Sequence, residues 1–260
     1  MAPAVPPAEI LRISEASLRF ADGRPLFETL SLSLPGRGWT CLMGRSGCGK
    51  SSLLRMVAGL PVEVGPQGHA HIKRRNGEGG EFSASIAWMP QRDMLMPWRR
   101  VVENVAVGAA LRGQRWSDAR ERAEALLARV GLAGLGARWP DSLSGGQRQR
   151  VALARTLFEA DGVVLMDEPF SALDALTRLE LQDLAAEVLA EQSVLLVTHD
   201  PLEALRLADT LYVFGTDAQL HAMALPPGDP PRAPGDVAVA GIQAALFERL
   251  RGTGGERSNA

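Results

Sequence analysis

The chain has 260 residues, of which 46% are hydrophobic and 22% are charged, and its formal net charge at pH 7 is -2. This length and apolar content are enough for a full α/β core, either as one unit or as a closely joined pair of subdomains. Because basic and acidic residues are interspersed, the charge pattern gives no electrostatic footprint for nucleic acid, which is therefore not an expected partner.

No stretch of the sequence approaches the roughly 18 uninterrupted apolar residues of a membrane helix. Residues 1–9 are rich in Ala and Pro and lack the basic and apolar regions of a signal peptide. The two cysteines, Cys41 and Cys48, fall in a predicted strand and in a glycine-rich loop that a disulfide would distort. We therefore expect residues 1–9 to form a disordered tail and the chain to be made and kept in the reducing cytosol.

Two strands are predicted first, over residues 11–20 and 26–34, with a turn signal at Asp22-Gly23 between them. They indicate an antiparallel β-piece that leads into the next strand. Phe20 stands at the end of the first strand, where an aromatic ring either packs in the core or presents its face to a nucleotide base. The sequence alone leaves both interpretations open.

A strand predicted over 39–43 leads into a glycine-rich stretch and then into a helix predicted over 52–58. The stretch fits G-x-x-x-x-G-K-[ST], and the flanking elements favour a phosphate-binding loop over a chance glycine-rich turn. Glycines let backbone N–H groups approach polyphosphate oxygens closely. The Lys50 ammonium can offset charge on the β- and γ-phosphates, and the Ser51 hydroxyl can bind Mg²⁺. A nucleoside triphosphate is the expected ligand. Its predicted contacts are Gly44, Arg45, Ser46, Gly47, Cys48, Gly49, Lys50, Ser51 and Ser52.

Residues 61–82 carry many glycines and charges around one short strand and are predicted to form a solvated surface region. His69 and His71 alternate there, but no carboxylate or cysteine pattern accompanies them, so we predict no metal site at these histidines. A buried strand predicted over 86–89 ends just before Gln91.

From residue 92 to residue 160 the pattern is helical, which predicts a helical insertion in an α/β chain. One helix is predicted behind Ser117 as N-cap and is closed by Gly131. The insertion also contains a Ser-Gly-Gly turn in front of another helix, where free N–H groups and the positive end of the dipole favour an anion. The residues of this second anion site are Ser144, Gly145, Gly146 and Gln147.

Residues 163–166 are apolar and are followed by two acids, as in a buried strand that delivers a carboxylate to a nucleotide site. Asp167 is predicted to hold Mg²⁺ through the coordination shell of the ion. Glu168 is predicted to accept a proton from the attacking water or to orient that water. A later strand over 194–197 ends next to His199, at a position where ligands collect in open parallel sheets.

Together these stretches resemble the ATP-binding subunits of ABC transporters, in the family's order from about residue 11 to residue 214. The most specific part is Leu-Ser-Gly-Gly-Gln at 143–147 in the same chain as the phosphate loop. The resemblance implies an α/β P-loop NTPase fold with a RecA-like core, an antiparallel β-subdomain and an inserted helical subdomain at about 92–160. It also implies an ATPase domain over 10–214, with ATP and Mg²⁺ as cofactors.

The same resemblance assigns roles to single residues. Phe20 falls where the family stacks an aromatic ring, usually tyrosine, on adenine, and Asp174 ends a stretch that is similar to the family's D-loop. Hydrolysis is assigned to Glu168, His199 and Gln91. The implied Mg²⁺ ligands are Ser51, Gln91 and Asp167.

In this family two subunits pack head to tail, so that residues 143–147 of one chain close over the ATP on the phosphate loop of the other. The resemblance therefore implies that this chain dimerises with a second copy of itself when ATP binds, and that hydrolysis reopens the dimer. It also accounts for the two anion-binding helix ends in one chain.

A narrower resemblance lies in residues 91–105, where a Gln is followed by Leu-x-Pro-Trp and Val-x-x-Asn-Val. This segment is similar to that of importer ATPases for nitrate, sulfonate, taurine and pyrimidine precursors, and residues 196–207 and 226–234 resemble the hydroxymethylpyrimidine type. The resemblance therefore implies uptake of a small solute, with a hydroxymethylpyrimidine-type thiamin precursor as the first expectation and a nitrate-, sulfonate- or taurine-type solute as the alternative. It implies a membrane permease as partner, an extracytoplasmic solute-binding protein as indirect partner, and a place at the cytoplasmic face of the membrane. Pro97-Trp98 is either a packed turn or a docking point for that permease.

Residues 215–260 are predicted to form a Pro-rich linker and a terminal amphipathic helix that packs on the chain's own body. Its apolar positions are Val239, Ile242, Leu246 and Leu250. Three alternatives to an importer ATPase remain. A soluble ABC ATPase acting on DNA or ribosomes would carry coiled coils or a second ATPase domain, and a phosphotransferase would have no use for residues 143–147. An exporter ATPase is more often fused to membrane segments, and residues 91–105 favour import.

Overall fold

The computed structural model describes residues 9–20, 22–62, 69–215, 217–236, 238–239, 241–243 and 246. The tail predicted over 1–9 lies outside the described residues except for Glu9, which begins the first strand. The chain divides into two compact units, which we call unit 1 (Met1–Ala84 with Ser193–Ala260) and unit 2 (Ser85–Gln192). Within the described residues, no helix has the length and apolar character needed to cross a bilayer.

Strands and helices alternate regularly between residues 145 and 214, whereas strands predominate before residue 90 and helices between residues 101 and 159. In order they are β1 (Glu9–Arg19), β2 (Pro25–Pro35), β3 (Gly38–Met43), α1 (Lys50–Val57), β4 (His69–Arg75), β5 (Ile86–Met89), α2 (Val101–Val105), α3 (Val107–Leu111), α4 (Trp116–Arg129), a 3₁₀ helix (Pro140–Ser142), α5 (Gly145–Glu159), β6 (Val163–Asp167), α6 (Ala175–Val188), β7 (Ser193–Val197), α7 (Pro201–Leu207), β8 (Thr210–Phe214) and β9 (Leu220–Met223).

Unit 1 contains two sheets. The first is antiparallel, in the order β2-β1-β4, and pairs Ile13 with Leu32 on one side and with Arg74 on the other. In the second half of β2, Leu30, Leu32 and Leu34 are buried, as a period of two predicts for a strand with one face on the core. The predicted antiparallel β-piece is thereby confirmed.

The second sheet of unit 1 runs β7-β3-β8-β9. Strand β3 is parallel to β7 and to β8, and Leu42 is paired with Val197 on one side and Tyr212 on the other. A central parallel strand is covered on both faces, which explains why every residue of β3 after Gly38 is buried. The edge strand β9 is antiparallel to β8 and was not predicted from the sequence.

Unit 2 joins a parallel pair, β5 with β6, to a group of helices. Helix α5 contacts both α2 and α4, and its apolar face is buried at Val151, Ala154 and Phe158. Unit 2 is wider than the helical subdomain predicted over 92–160, because it also includes β5, β6 and α6.

The predicted N-cap of α4 is wrong by two residues. The helix begins at Trp116 behind Arg115, whose backbone is extended, and the Ser117 hydroxyl donates to Asp118 Oδ1 at 2.8 Å. Ser117 is therefore inside the first turn and cannot cap it. The predicted end is confirmed, since Val130 is the C-cap and Gly131 follows with a φ of 73°.

The C-terminal region is described in part. Residues 238–239, 241–243 and 246 are helical, and Val239 and Leu246 are buried. Leu250, which the sequence also predicts on this helix, lies outside the described residues.

Candidate functional site

The loop between β3 and α1 needs glycine at several positions. Gly47 and Gly49 have φ values of 79° and 103°, in the left-handed region that glycine enters without strain. Gly44 has another reason, because a Cβ there would lie 2.7 Å from the Phe214 Cβ and 2.9 Å from the Cys48 Sγ. Gly44 is therefore packed against the Phe214 and Cys48 side chains and leaves no room for a side chain of its own.

Helix α1 begins without a side-chain cap. Gly49 occupies the N-cap position and has no side chain to accept a hydrogen bond from the first turn. The first N–H groups of a helix have no partner inside the helix, and they stand at the positive end of its dipole. This end of α1 is therefore suited to bind an anion through the backbone.

The Lys50 side chain crosses the loop. Its Nζ donates to the carbonyl oxygens of Gly44 and Arg45, both at 2.8 Å, and lies 3.8 Å from the Cys48 Sγ. Burial raises the pKa of the Cys48 thiol, and the nearby ammonium opposes this effect only in part. The Arg45, Ser46, Gly47 and Ser51 positions are exposed and Ser52 is half-buried, so the outer side of the loop is open to a ligand.

His199 lies at the same edge of the sheet in unit 1 as the loop. Strands β3 and β7 are parallel neighbours, and the Thr198 N–H donates to the Leu42 carbonyl at 3.2 Å just beyond their last pair. The loop follows β3 and the exposed His199 follows β7. Within unit 1 the structure thus brings the predicted histidine and the phosphate loop to neighbouring strand ends.

Two predicted residues of unit 2 are in direct contact. Strands β5 and β6 are parallel and end side by side, and Gln91 Nε2 donates to Glu168 Oε2 at 3.2 Å. Asp167, the last residue of β6, is only 4% exposed. Gln91, Asp167 and Glu168 are therefore grouped at one end of this strand pair.

The backbone of Glu168 is strained. Its φ is 50°, a left-handed value that a residue with a Cβ rarely adopts. The Glu168 carbonyl accepts from the Ser171 hydroxyl at 3.0 Å and from Gln149 Nε2 at 3.4 Å. Strain held in place by surrounding bonds is typical of functional positions, because it fixes the direction of a side chain.

The Ser-Gly-Gly turn differs from its prediction in one respect. Ser144 is the N-cap of α5, its hydroxyl accepts from the Gln147 N–H at 3.2 Å, and its own N–H donates to Gln147 Oε1 at 2.9 Å. The free N–H groups expected here are therefore fewer, because two of them are engaged in a capping box. The S-x-x-Q spacing would have predicted this box.

Asp174 has a clear structural contact. It is the N-cap of α6, and its Oδ1 accepts from the Thr177 N–H at 3.0 Å. This hydrogen bond lowers the pKa of the Asp174 carboxyl. A contact between Asp174 and a nucleotide stays a prediction.

Phe20 does not belong to the core. Its side chain is 37% exposed, and the Arg24 guanidinium lies 6.0 Å from the ring centroid. Of the two interpretations that the sequence leaves open, the core interpretation is wrong, and the ring is accessible for stacking.

The residues that hold the segment 93–100 were missed by the sequence-based predictions. Asn104 is fully buried; its Oδ1 accepts from the Met96 N–H at 2.7 Å, and its Nδ2 donates to the Arg99 carbonyl at 3.0 Å. Arg155 donates to the main-chain oxygens of residues 93 and 94 at 2.7 and 3.0 Å. A polar Asn inside an apolar helix pattern was the available signal. Trp98 remains 73% exposed, so the packed-turn interpretation of Pro97-Trp98 is wrong.

A phosphate loop between strand and helix, with a carboxylate pair at the end of another strand, defines an ATPase of the P-loop class. The family described as ABC transporter matches residues 27–171. An ABC transporter ATP-binding protein of Haemophilus influenzae is 43% identical over 94% of this chain and 99% of its own length. Aliphatic sulfonates import ATP-binding protein SsuB 2 of Xanthomonas axonopodis is 40% identical, over 94% of this chain and 80% of its own length.

The corresponding SsuB of Escherichia coli is 39% identical over 92% of this chain and 90% of its own length. A solved ABC transporter of the metal-chelate type, in an inward-facing conformation, has a TM-score of 0.65 over 83% of each chain at 24% identity, which shows likeness of fold alone. The chain belongs to the ABC transporter family, as an importer-type ATP-binding subunit of the nitrate, sulfonate and taurine group. The predicted fold class and ATPase activity are confirmed.

Proposed function

We propose that this ATPase energises the uptake of an aliphatic sulfonate. The proposal of this solute rests on relatives, 39% to 44% identical, whose names specify aliphatic sulfonates import. A hydroxymethylpyrimidine-type thiamin precursor, which residues 196–207 and 226–234 favour, is the second candidate, and taurine and nitrate are further members of the group. An exporter or a non-transport ATPase has no such support.

The chemistry follows from the side chains already described. The uncapped end of α1 and Lys50 bind the phosphates, and the exposed face of Phe20 stacks on the base. Glu168 accepts the proton of the attacking water, and Gln91, which donates to Glu168 Oε2 at 3.2 Å, fixes the direction of that carboxylate. His199 contacts the γ-phosphate.

The residues present fit a magnesium ion. Mg²⁺ keeps several waters and takes one or two carboxylates together with substrate phosphates, so it needs no complete protein cage. In the part of the chain that the structure describes, no group of three or more His, Cys, Asp and Glu could hold a metal by itself. We assign the Ser51 hydroxyl, the Gln91 amide and the Asp167 carboxylate as ligands. Held by these residues, Mg²⁺ would supply positive charge that offsets the charge of the bound phosphates.

Assembly completes the proposal. Two copies bind head to tail when ATP is present, with Ser144 to Gln147 of one copy closing on the nucleotide of the other. The pair docks at the cytoplasmic face of a membrane permease, which receives solute from an extracytoplasmic binding protein. The exposed Trp98 supports a docking role, because tryptophan is enriched at protein–protein interfaces relative to the rest of the surface.

Docking is tested with a matched pair of variants. Trp98→Ala is expected to lose permease association in a pull-down while it keeps ATP affinity. Trp116→Ala, at another exposed tryptophan of unit 2, is the control and is expected to keep both. Equal permease association of the two variants would show that Trp98 is not part of the docking surface.

Solute identity is tested by ATP hydrolysis in the reconstituted complex. Binding proteins loaded with an alkanesulfonate, taurine, nitrate or a hydroxymethylpyrimidine are added in turn, with the unloaded protein as baseline. We expect the alkanesulfonate to stimulate hydrolysis most. Stimulation by the pyrimidine alone would overturn the sulfonate assignment and leave the importer intact, whereas absence of any permease association would remove the importer.

A further inference from the structure

Arg232 is a buried arginine in a segment whose composition predicts a linker. Only 7% of it is exposed. Its Nη1 donates to the carbonyls of Leu205 at 2.9 Å and Ala208 at 2.8 Å, and its Nε donates to the Pro226 carbonyl at 3.2 Å. Its backbone N–H donates to the Arg206 carbonyl at 2.9 Å. One residue thus ties residues 226–232 to the C-terminal end of α7.

The end of α7 needs such a partner. The last carbonyls of a helix have no N–H partner inside the helix, and a cation there also interacts favourably with the dipole. Helix α7 has seven residues, and a helix this short has little stability of its own. Arg232 therefore determines how the C-terminal end of α7 is held.

The other end of α7 leads to His199. Glu203, on α7, is 5% exposed, and its Oε2 accepts from the Thr198 hydroxyl at 3.2 Å. The Thr198 hydroxyl oxygen in turn accepts from the Asp200 N–H at 3.0 Å, and Asp200 caps α7 by accepting from the Leu202 N–H at 2.9 Å. Both chain neighbours of His199 are thus fixed by α7.

The thiol of Cys41, on β3, reports the same cluster of charges. Burial raises its pKa well above the ordinary range, Glu203 and Asp209 raise it further, and Arg232 opposes them. Asp209 is itself tied to β3, because its Oδ2 accepts from the Trp39 N–H at 2.7 Å. Glu203, Asp209 and Arg232 therefore all lie near enough to Cys41 to affect its pKa, which places them around one part of β3.

We infer that Arg232 is a positioning residue for hydrolysis: it holds α7, and through Glu203 and Thr198 it sets the backbone from which His199 reaches the γ-phosphate. This inference rests on the proposed role of His199. It predicts that residues 226–232 affect turnover through the position of His199, without contact with the nucleotide.

The first test is Arg232→Met, which keeps the apolar stem and removes the donors and the charge. We expect kcat to fall about 10-fold or more, because a small misplacement of a reacting group has effects of this size, while the Kd for ATP changes less than about twofold. Arg232→Lys, which keeps a charge and can donate to carbonyls, is expected to recover part of kcat. Arg120→Met, at an exposed arginine of α4, is the control with unchanged kcat.

A second test separates positioning from general destabilisation. In a His199→Ala background, Arg232→Met should cause no further loss in single-turnover hydrolysis, because its effect passes through the histidine. Thr198→Val, which removes the hydroxyl link with little change of shape, should lower kcat in the same way if Arg232→Met does not fold. A folded Arg232→Met with normal kcat, or losses that add in the double variant, would overturn the inference. Failure of the wild-type chain to hydrolyse ATP would instead overturn the proposed function.

Discussion

Helices α1 and α5 both begin at glycine-containing turns, but their first turns are completed in different ways. Gly49 leaves α1 without a side-chain cap, whereas Ser144 and Gln147 form a reciprocal capping box on α5. The first end therefore offers its backbone N–H groups to a ligand, and the second has already satisfied part of its own. This difference supports the proposal that the phosphate loop binds nucleotide by itself, while the Ser144 turn adds contacts to a nucleotide that is held on another chain.

The largest effect is expected on turnover, in a variant that binds ATP without hydrolysing it. Glu168→Gln keeps the partner of Gln91 but cannot accept a proton, so turnover should fall on the order of 10²-fold or more with ATP affinity retained. Steady-state hydrolysis and nucleotide titration give the two quantities. Near-normal turnover would transfer the proton-accepting role to His199.

The next largest effect is expected on ATP affinity, when phosphate binding at the start of α1 is weakened. Lys50→Met removes charge-assisted hydrogen bonds, each of about 1.5–3 kcal/mol, so the affinity of the isolated chain for ATP should fall on the order of 100-fold. Lys73→Met, at an exposed lysine whose ion pair with Glu15 lies at the surface, is the control and should bind normally. Equal affinities, measured by fluorescence titration, would contradict the role of the loop.

A smaller effect is expected at the second helix end. Ser144→Ala removes the cap of α5, so the free energy of unfolding should fall by about 1 kcal/mol, while the isolated chain keeps its affinity for ATP. Ser117→Ala, inside the first turn of α4, should leave stability unchanged. Chemical denaturation of both variants checks the pair, and an ATP affinity that falls with Ser144→Ala would show that this turn binds nucleotide within one chain.

The smallest effect is a pH dependence at the phosphate loop. Because burial raises the pKa of Cys48, its thiol stays protonated at neutral pH, and alkylation should be slow and should still accelerate above the ordinary thiol pKa of about 8.5. The raised pKa of Cys48 also makes the stability of the folded chain depend on pH. Its contribution to stability is fully present below the ordinary thiol pKa and is lost as the pH rises through the higher pKa of the folded state. Labelling rates against pH test this, and a rate that levels off below pH 8 would contradict it.

The parts of the molecule that could be predicted from sequence are those with local causes. The phosphate loop follows from glycine and lysine spacing, and β2 follows from alternation within one strand. The bonds of Arg232 and Asn104 could not be predicted, because their partners are carbonyls that only the folded chain brings near. From their composition alone, residues 226–234 are predicted to form a linker. The left-handed φ of Glu168 could not be predicted either, since the Ser171 and Gln149 side chains that bond its carbonyl meet it only in the folded chain.

The most direct measurement is the mass of the Glu168→Gln protein in solution, by light scattering, with and without ATP and Mg²⁺. One chain has a mass of 27.8 kDa. We expect this mass to double only when ATP is present, and we expect Ser144→Arg in the same background to keep the single-chain mass while it binds ATP normally. A single-chain mass for Glu168→Gln at saturating ATP, or a doubled mass for the Ser144→Arg variant, would contradict the proposal that the Ser144 turn serves the nucleotide of a second copy.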